Sequence, residues 1–173
     1  SDKQKKKIIN SRVAPIEFIN KKLIELNIKP KAIISASATG YYGLQTTNKI
    51  YSETDNPGND FLSEICVLWE KAALQFNSIN IRTVVFRTGV VFSKEGGALE
   101  KIIKPIKFNV GAALGTGKQY MPWIAMEDLC YMYVSAIENS EFNGIYNAVA
   151  PDHVTNKELT KSIAKTLKKT LWL

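Results

Sequence analysis

Two kinds of hydrophobic periodicity alternate along this chain, and the alternation leaves few folds open. Between Ser11 and Leu26, the residues Val13, Ile16, Ile19, Leu23 and Leu26 recur every three or four positions, which is the spacing of one helical stripe. Pro15 is expected to start or kink that helix. AIIS, beginning at Ala32, is a short continuous apolar run of the kind buried strands show. From Asp60 to Phe76 a second helical face carries Phe61, Ile65, Leu68, Trp69, Ala72 and Phe76, and IRTVVFRTGVVF follows as a β-branched strand. GALEKIIKPIKFNVG reads as a short helix interrupted at Pro105, and GTGKQYMPWI as a glycine-rich turn opening into an extended aromatic stretch. LCYMYVSAI is the body of another helix, with Glu127 and Asp128 at its positive end. GIYNAVA is one more strand, and Thr155 with Glu158 forms a capping box for the last helix. Strands alternating with helices in this way pair in parallel through right-handed crossovers. The expected architecture is therefore α/β, a doubly wound parallel sheet.

Composition narrows the setting. With 173 residues, 45% of them hydrophobic, the chain can bury the core of one domain or of a large piece of a bigger one. No apolar run approaches the roughly 18 residues of a membrane span, and the lysine-rich start SDKQKKKIIN has no signal-type apolar core after it. The cytoplasm is the expected compartment. The net charge of +7 is concentrated between residues 3 and 31 and between 157 and 169. These lysines read as solvated outer faces of helices. No aromatic residues alternate with them as a single-strand nucleic-acid surface would need, so the expected partner is a small molecule and not nucleic acid. Cys66 and Cys130 lie in apolar helical surroundings where a free thiol behaves as a small hydrophobe, and no disulfide is expected. His153 is the single histidine, which leaves almost no material for a zinc site, so no metal is expected.

In a doubly wound sheet, ligands sit beyond the carboxyl ends of the strands. Two suspicious clusters fall at that edge: Ser35-Ala36-Ser37 in AIISASATGYYG, and Arg87-Thr88-Gly89. Hydroxyls placed there can donate to a carbonyl or alcohol oxygen. Small residues there can equally serve to let a turn pass close to its neighbour. GTGK at 115 to 118 does not complete a phosphate-binding loop, because Ala112 and Gln119 stand where Gly and Ser or Thr are required. Neither SASATG nor the isolated His153 makes a nucleophile elbow with its partner. The carboxylate pairs Glu53 with Asp55 and Glu127 with Asp128 are accounted for by solvation and by helix-dipole compensation.

Taken together and in this order, AIISASATGYYG, FRTGVVFSKEGGAL, GTGKQYMPWIAMEDL and GIYNAVAP resemble the sugar-nucleotide epimerase branch of the extended short-chain dehydrogenase/reductase superfamily. The nearest resemblance is to its atypical epimerase-family group. The resemblance implies a Rossmann-like, NADP-binding domain, with NAD as the alternative cofactor. It also implies a smaller substrate lobe built from residues 96–125 and 147–173 and taking a nucleotide sugar or similar substrate. Ser37 matches the superfamily's active-site serine or threonine. Ser35, Ala36, Arg87, Thr88, Gly89 and Val90 match positions along the cofactor. Gln119, Tyr120, Trp123 and Asn147 match the lining of the substrate pocket.

The departures are as informative. The superfamily's general acid/base is a tyrosine followed four residues later by a lysine, on the helix that begins here as DFLSEICVLWEKAA. The two possible registers give Phe61 with Ile65, or Leu62 with Cys66, and neither supplies a phenol or an ammonium. Tyr41 or Tyr42, in the neighbouring turn, could supply a phenol. The glycine-rich G-x-x-G-x-x-G turn that holds the pyrophosphate occurs nowhere in the sequence, so the chain reads as an internal portion of a longer protein. Two functional classes remain: an epimerase-like oxidoreductase, and a non-catalytic sensor or interaction domain that has kept the fold.

Overall fold

The structure is a computed structural model that describes residues 1–44 and 46–171. Gln45, which opens the polar segment QTTNKIYSETDNPGND, lies outside the described residues. Among the described residues, five helices and six strands follow in the expected helix–strand order, except that β2, β3 and β4 stand in succession where one strand is expected: α1 (Asp2–Glu25), β1 (Ala32–Ala38), α2 (Phe61–Leu74), β2 (Arg82–Thr88), β3 (Val90–Ser93), β4 (Gly96–Gly97), α3 (Ala98–Lys107), β5 (Trp123–Ala125), α4 (Met126–Glu138), β6 (Gly144–Ala148) and α5 (Asn156–Thr166). A 3-10 turn, Thr39–Tyr42, follows β1 directly. The fold is α/β.

Three boundaries differ from the sequence expectation. Helix α1 begins at Asp2, so Pro15 lies inside it and does not start it. The lysine-rich opening consists of good helix formers, and Ser11 Oγ and Arg12 Nη1 both reach back to the Ile8 carbonyl (2.7 and 3.2 Å) in the turn before the proline. Pro105 likewise sits within α3 without ending it, next to the buried Ile106. One missing backbone donor near the end of a helix is a small loss beside the packing that holds its apolar face. The run IRTVVFRTGVVF is two strands, broken at Gly89.

The chain forms two compact units. The first comprises residues 1–44, 51–87 and 132–147, and the second 45–50, 88–131 and 148–173. In the first, the sheet order is β1-β2-β6, which makes β2 the central strand. Its residues Val84, Val85 and Phe86 are fully buried, together with Thr83. A central strand covered on both faces accounts for the unbroken apolar run, where an alternating pattern would mark a strand with one wet face. Helix α2 turns Ile65, Cys66, Ala72 and Ala73 inward, and α1 packs along it. Asp60 caps α2 by accepting from Ser63 N (2.9 Å) and also accepts from Leu44 N (2.6 Å). Those backbone donors, Leu44 first, hold its carboxyl below the usual carboxylate range. Arg82 secures the end of α4 by donating to the carbonyls of Ala136 and Phe142 (2.9 and 2.6 Å).

In the second unit β3 pairs antiparallel with β4 and parallel with β5, with Val90 opposite Trp123 and Phe92 opposite Ala125. Phe92, Ile106, Ile124, Ala148 and Ala164 form its buried apolar set. The capping box at Thr155 is present in both directions and starts α5. Gly89 sits where its N–H donates to Ala148 O (3.1 Å) and the next residue, Val90, donates to Pro122 O (2.7 Å). A Cβ at Gly89 would stand 2.6 Å from Pro122 O and 3.1 Å from Val149 Cγ1. Close backbone approach therefore explains this glycine. Gly89→Ala is expected to cost about 1–3 kcal/mol, as overpacked sites do, measured as a lowered urea midpoint. Gly40→Ala, whose Cβ would meet Cys66 Sγ and Leu62 Cβ at an ordinary 3.7 Å, should leave the midpoint unchanged or raise it.

Candidate functional site

The ends of β1 and β2 in the first unit carry a charged pair where the surroundings are otherwise apolar. Arg87 is 1% exposed and Glu70, from the inner face of α2, is 4% exposed. Arg87 Nε donates to Glu70 Oε1 and Nη2 to Oε2, both at 2.9 Å, in the two-pronged geometry that suits guanidinium and carboxylate. Ser37 Oγ donates to the same Oε1 at 2.7 Å. On its other side Arg87 Nη1 donates to the Tyr42 hydroxyl (3.0 Å) and to Glu53 O (3.1 Å). The Tyr42 hydroxyl lies 2.7 Å from Asn147 Oδ1 and 3.0 Å from Ser52 O, either of which accepts its one proton. Asn147 completes the cluster: its backbone N donates to Glu53 Oε1 (2.8 Å) and its amide to Tyr51 O (3.4 Å).

Aromatic rings enclose these charges. The Arg87 guanidinium carbon is 3.3 Å from the centroid of the Tyr41 ring, and Tyr41 meets Tyr42 edge-on at 5.3 Å. Tyr42 stacks on Tyr51 at 4.7 Å. The segment 51–55 carries Glu53 and Asp55, for which solvation alone is the sequence expectation. It has no regular structure, yet it is moored to the cluster through Tyr51, Ser52 and Glu53.

The electrostatics follow from burial and pairing. Burial pushes the Tyr42 phenol above its ordinary value, and Arg87 and Asn147 only partly offset that. Tyr42 is therefore protonated at neutral pH. Burial alone would lower the pKa of Arg87, but Glu70 and Tyr42 more than reverse this and keep it charged. Burial also raises the Cys66 thiol, which stays an unreactive core group beside Ser37 and Ala38.

The residues singled out in the sequence fall in both units. Ser37, Tyr41, Tyr42, Arg87 and Asn147 come together in the cluster of the first unit. Ser35, half-buried, turns its hydroxyl back on Ala36 O (3.1 Å). In the second unit, Thr88 ends β2, Gly89 and Val90 open β3, and Trp123 stacks on Phe92 at 5.4 Å with its indole N–H buried and unpartnered. Gln119 Nε2 donates to Leu114 O (2.9 Å), and Tyr120 bridges to Thr155. Glu70 was missed by the sequence reading, and so was the part Glu53 plays. For Glu70 a signal existed: it is a carboxylate on a helical face otherwise made of Ile65, Cys66 and Ala73, which demands a buried cation. Among the described residues no three His, Cys, Asp or Glu side chains are grouped as a metal ion would need, and no helix is long and apolar enough to cross a membrane.

No family model matches the chain. It does align over its whole length with the epimerase family protein YfhF of Bacillus subtilis, at 36% identity, spanning 57% of that protein. With the human epimerase family protein SDR39U1 it is 33% identical over 94% of this chain and 55% of the relative. The crystal structure of human SDR39U1 (isoform 2) with NADPH superposes with a TM-score of 0.89 at 29% identity, over 98% of this chain and 57% of that one. A nucleoside-diphosphate sugar epimerase from Corynebacterium glutamicum superposes with a TM-score of 0.86 at 36% identity, over 96% of this chain and 36% of that one. The chain thus spans about half the length of the curated relatives it matches.

Breaking the buried pair on one side should be costly. Glu70→Ala strands a guanidinium in the core and is expected to cost about 3–5 kcal/mol in urea unfolding, whereas the double change Glu70→Leu with Arg87→Met should cost less than Glu70→Ala alone. Because the folded-state phenol of Tyr42 is raised, stability should be flat below the usual phenol pKa of about 10. Above it the unfolded chain ionises first, and stability falls. Tyr42→Phe should flatten part of that alkaline slope in a pH series of unfolding midpoints.

Proposed function

The chain is homologous to the epimerase family proteins of the extended short-chain dehydrogenase/reductase superfamily, and from that premise we propose that the protein binds NADP and acts, epimerase- or reductase-like, on a hydroxyl or carbonyl carbon of a nucleotide-sugar type substrate. The observation that carries this reading is the match, over 98% of the chain, to a relative solved with NADPH. In the same reading one hydroxyl of the cluster formed by Ser37, Tyr41 and Tyr42 meets the substrate oxygen. Asn147, Gln119, Tyr120 and Trp123 are the positions that the resemblance gives to substrate contacts.

The residues present fit one end of the cofactor. Ser35 and Ala36 are small and half-buried in the middle of β1, which runs on to Ala38, and their small side chains are what would let a nicotinamide and its ribose lie close to the strand. Thr88 and the backbone of Gly89 and Val90 carry the corresponding role from the end of β2, while the Arg87 side chain is taken up by Glu70. The pyrophosphate end has no glycine-rich cradle in these 173 residues. When bound, a nicotinamide supplies hydride exchange; the chain's own residues would orient the substrate oxygen and move its proton.

A second reading, a dinucleotide sensor without turnover, is favoured by one specific feature. Phe61, Leu62, Ile65 and Cys66 occupy the positions where the superfamily carries its tyrosine and lysine. Nicotinamide fluorescence separates the possibilities. In the full-length protein, which supplies the pyrophosphate end, NADPH is expected to bind, and more tightly than NADH. Product analysis with UDP- and dTDP-sugars then tells enzyme from sensor, since binding without conversion supports the sensor. Failure to bind either cofactor would contradict both.

A further inference from the structure

We infer that Tyr41, and neither Ser37 nor Tyr42, is the residue whose hydroxyl meets the substrate oxygen; the inference rests on the cofactor-binding reading above. It follows from accounting for each hydroxyl proton in the cluster. Ser37 has one proton, and it lies on Glu70 Oε1 at 2.7 Å. The direction is fixed, because Glu70 is held as a carboxylate by two hydrogen bonds from Arg87 and a carboxylate can only accept. Ser37 is also 3% exposed, with the Cys66 thiol beside it, so its lone pairs are enclosed as well. It serves as a tie between β1 and α2.

Tyr42 is spent in the same way. Its oxygen accepts from Arg87, its one proton goes to Asn147 Oδ1 or Ser52 O, and the residue is 7% exposed. Removing that proton would leave a phenolate facing two carbonyl oxygens with no hydrogen between them. Ser35 turns back on its own strand. Thr39 carries an aliphatic hydroxyl, which can orient a ligand but cannot exchange a proton in the accessible pH range.

Tyr41 differs on every count. It is half-buried, and among the described residues its phenol oxygen has no hydrogen-bond partner. Its ring is clamped, with the Arg87 guanidinium on its face at 3.3 Å and Tyr42 at its edge. Phenol, ring and cation are thus pre-set at the end of β1, where ligands of such sheets lie. A cation against the face of the ring holds the ring in place, so the phenol is presented in one orientation. The step assigned to Tyr41 is a proton transfer: its O–H bond breaks, the electron pair stays on the phenolate, and the substrate's carbonyl oxygen takes the proton as that carbon becomes an alcohol. The hydride for the carbon is the reduced nicotinamide's to supply, and the reverse direction returns the proton to Tyr41.

Labelling the full-length protein with N-acetylimidazole, with mapping of acetylated tyrosines by mass spectrometry, tests this without requiring turnover. Tyr41 should be acetylated and Tyr42 spared. NADPH should slow Tyr41 labelling at least tenfold while leaving the exposed Tyr131 unaffected. Tyr41→Phe should leave the urea midpoint in place, whereas Tyr42→Phe lowers it. Three results overturn the inference alone: NADPH that binds by fluorescence yet leaves Tyr41 labelling unchanged, Tyr42 labelled as fast as Tyr41, or a Tyr41→Phe midpoint lowered as far as that of Tyr42→Phe. Absence of NADPH binding overturns the cofactor reading and the inference with it.

Discussion

The ion pair between Arg87 and Glu70 is the constraint around which the first unit is arranged. A guanidinium placed directly after four fully buried side chains of β2 has lost its water and must recover equivalent partners within the protein. Glu70 supplies two, Tyr42 one and the backbone of Glu53 another. Each of these comes from a different part of the chain: α2, the turn after β1, and the segment before α2. The pair therefore fixes how far α2 sits along β1, through Ser37, and where the segment 51–55 lies against β6, through Asn147. Such a pair adds less to net stability than a well-packed apolar replacement would. Its contribution is to specify one arrangement.

This explains which features could be read in the sequence. Apolar stripes found α2, the buried run found β2, and Thr155 with Glu158 found the start of α5, because each is decided by neighbours in the chain. The split of IRTVVFRTGVVF at Gly89 could not be read in that way. It depends on Pro122 and Val149, more than thirty residues on, whose backbone and side chain leave no room for a Cβ. Pro15 and Pro105 misled because neither proline's local cost ended its helix: the turn before Pro15 is tied by Ser11 and Arg12 to the Ile8 carbonyl, and Pro105 lies near the end of α3 beside the buried Ile106. Ser37, Tyr41, Tyr42, Arg87 and Asn147 were all singled out, but which hydroxyl is spent and which is free became visible only once Glu70 was placed.

The relatives give the cluster its setting. The chain aligns along its whole length with a relative of which it spans 57%, so the strand ends and the turn after β1 lie in the part that the two share. Where the superfamily keeps a tyrosine and lysine on the helix, this chain has apolar residues and a thiol raised by burial. It keeps a cation and a phenol in contact elsewhere, at Arg87 and Tyr41.

The central claim is that Glu70, Arg87 and Tyr42 act as one network although Glu70 and Tyr42 make no hydrogen bond to each other. A double-mutant cycle measures this directly, with Glu70→Gln, Tyr42→Phe and the pair compared by urea unfolding. The account predicts a coupling of about 0.5–3 kcal/mol, the range for residues sharing a buried partner. Unfolding free energies that simply add would contradict it.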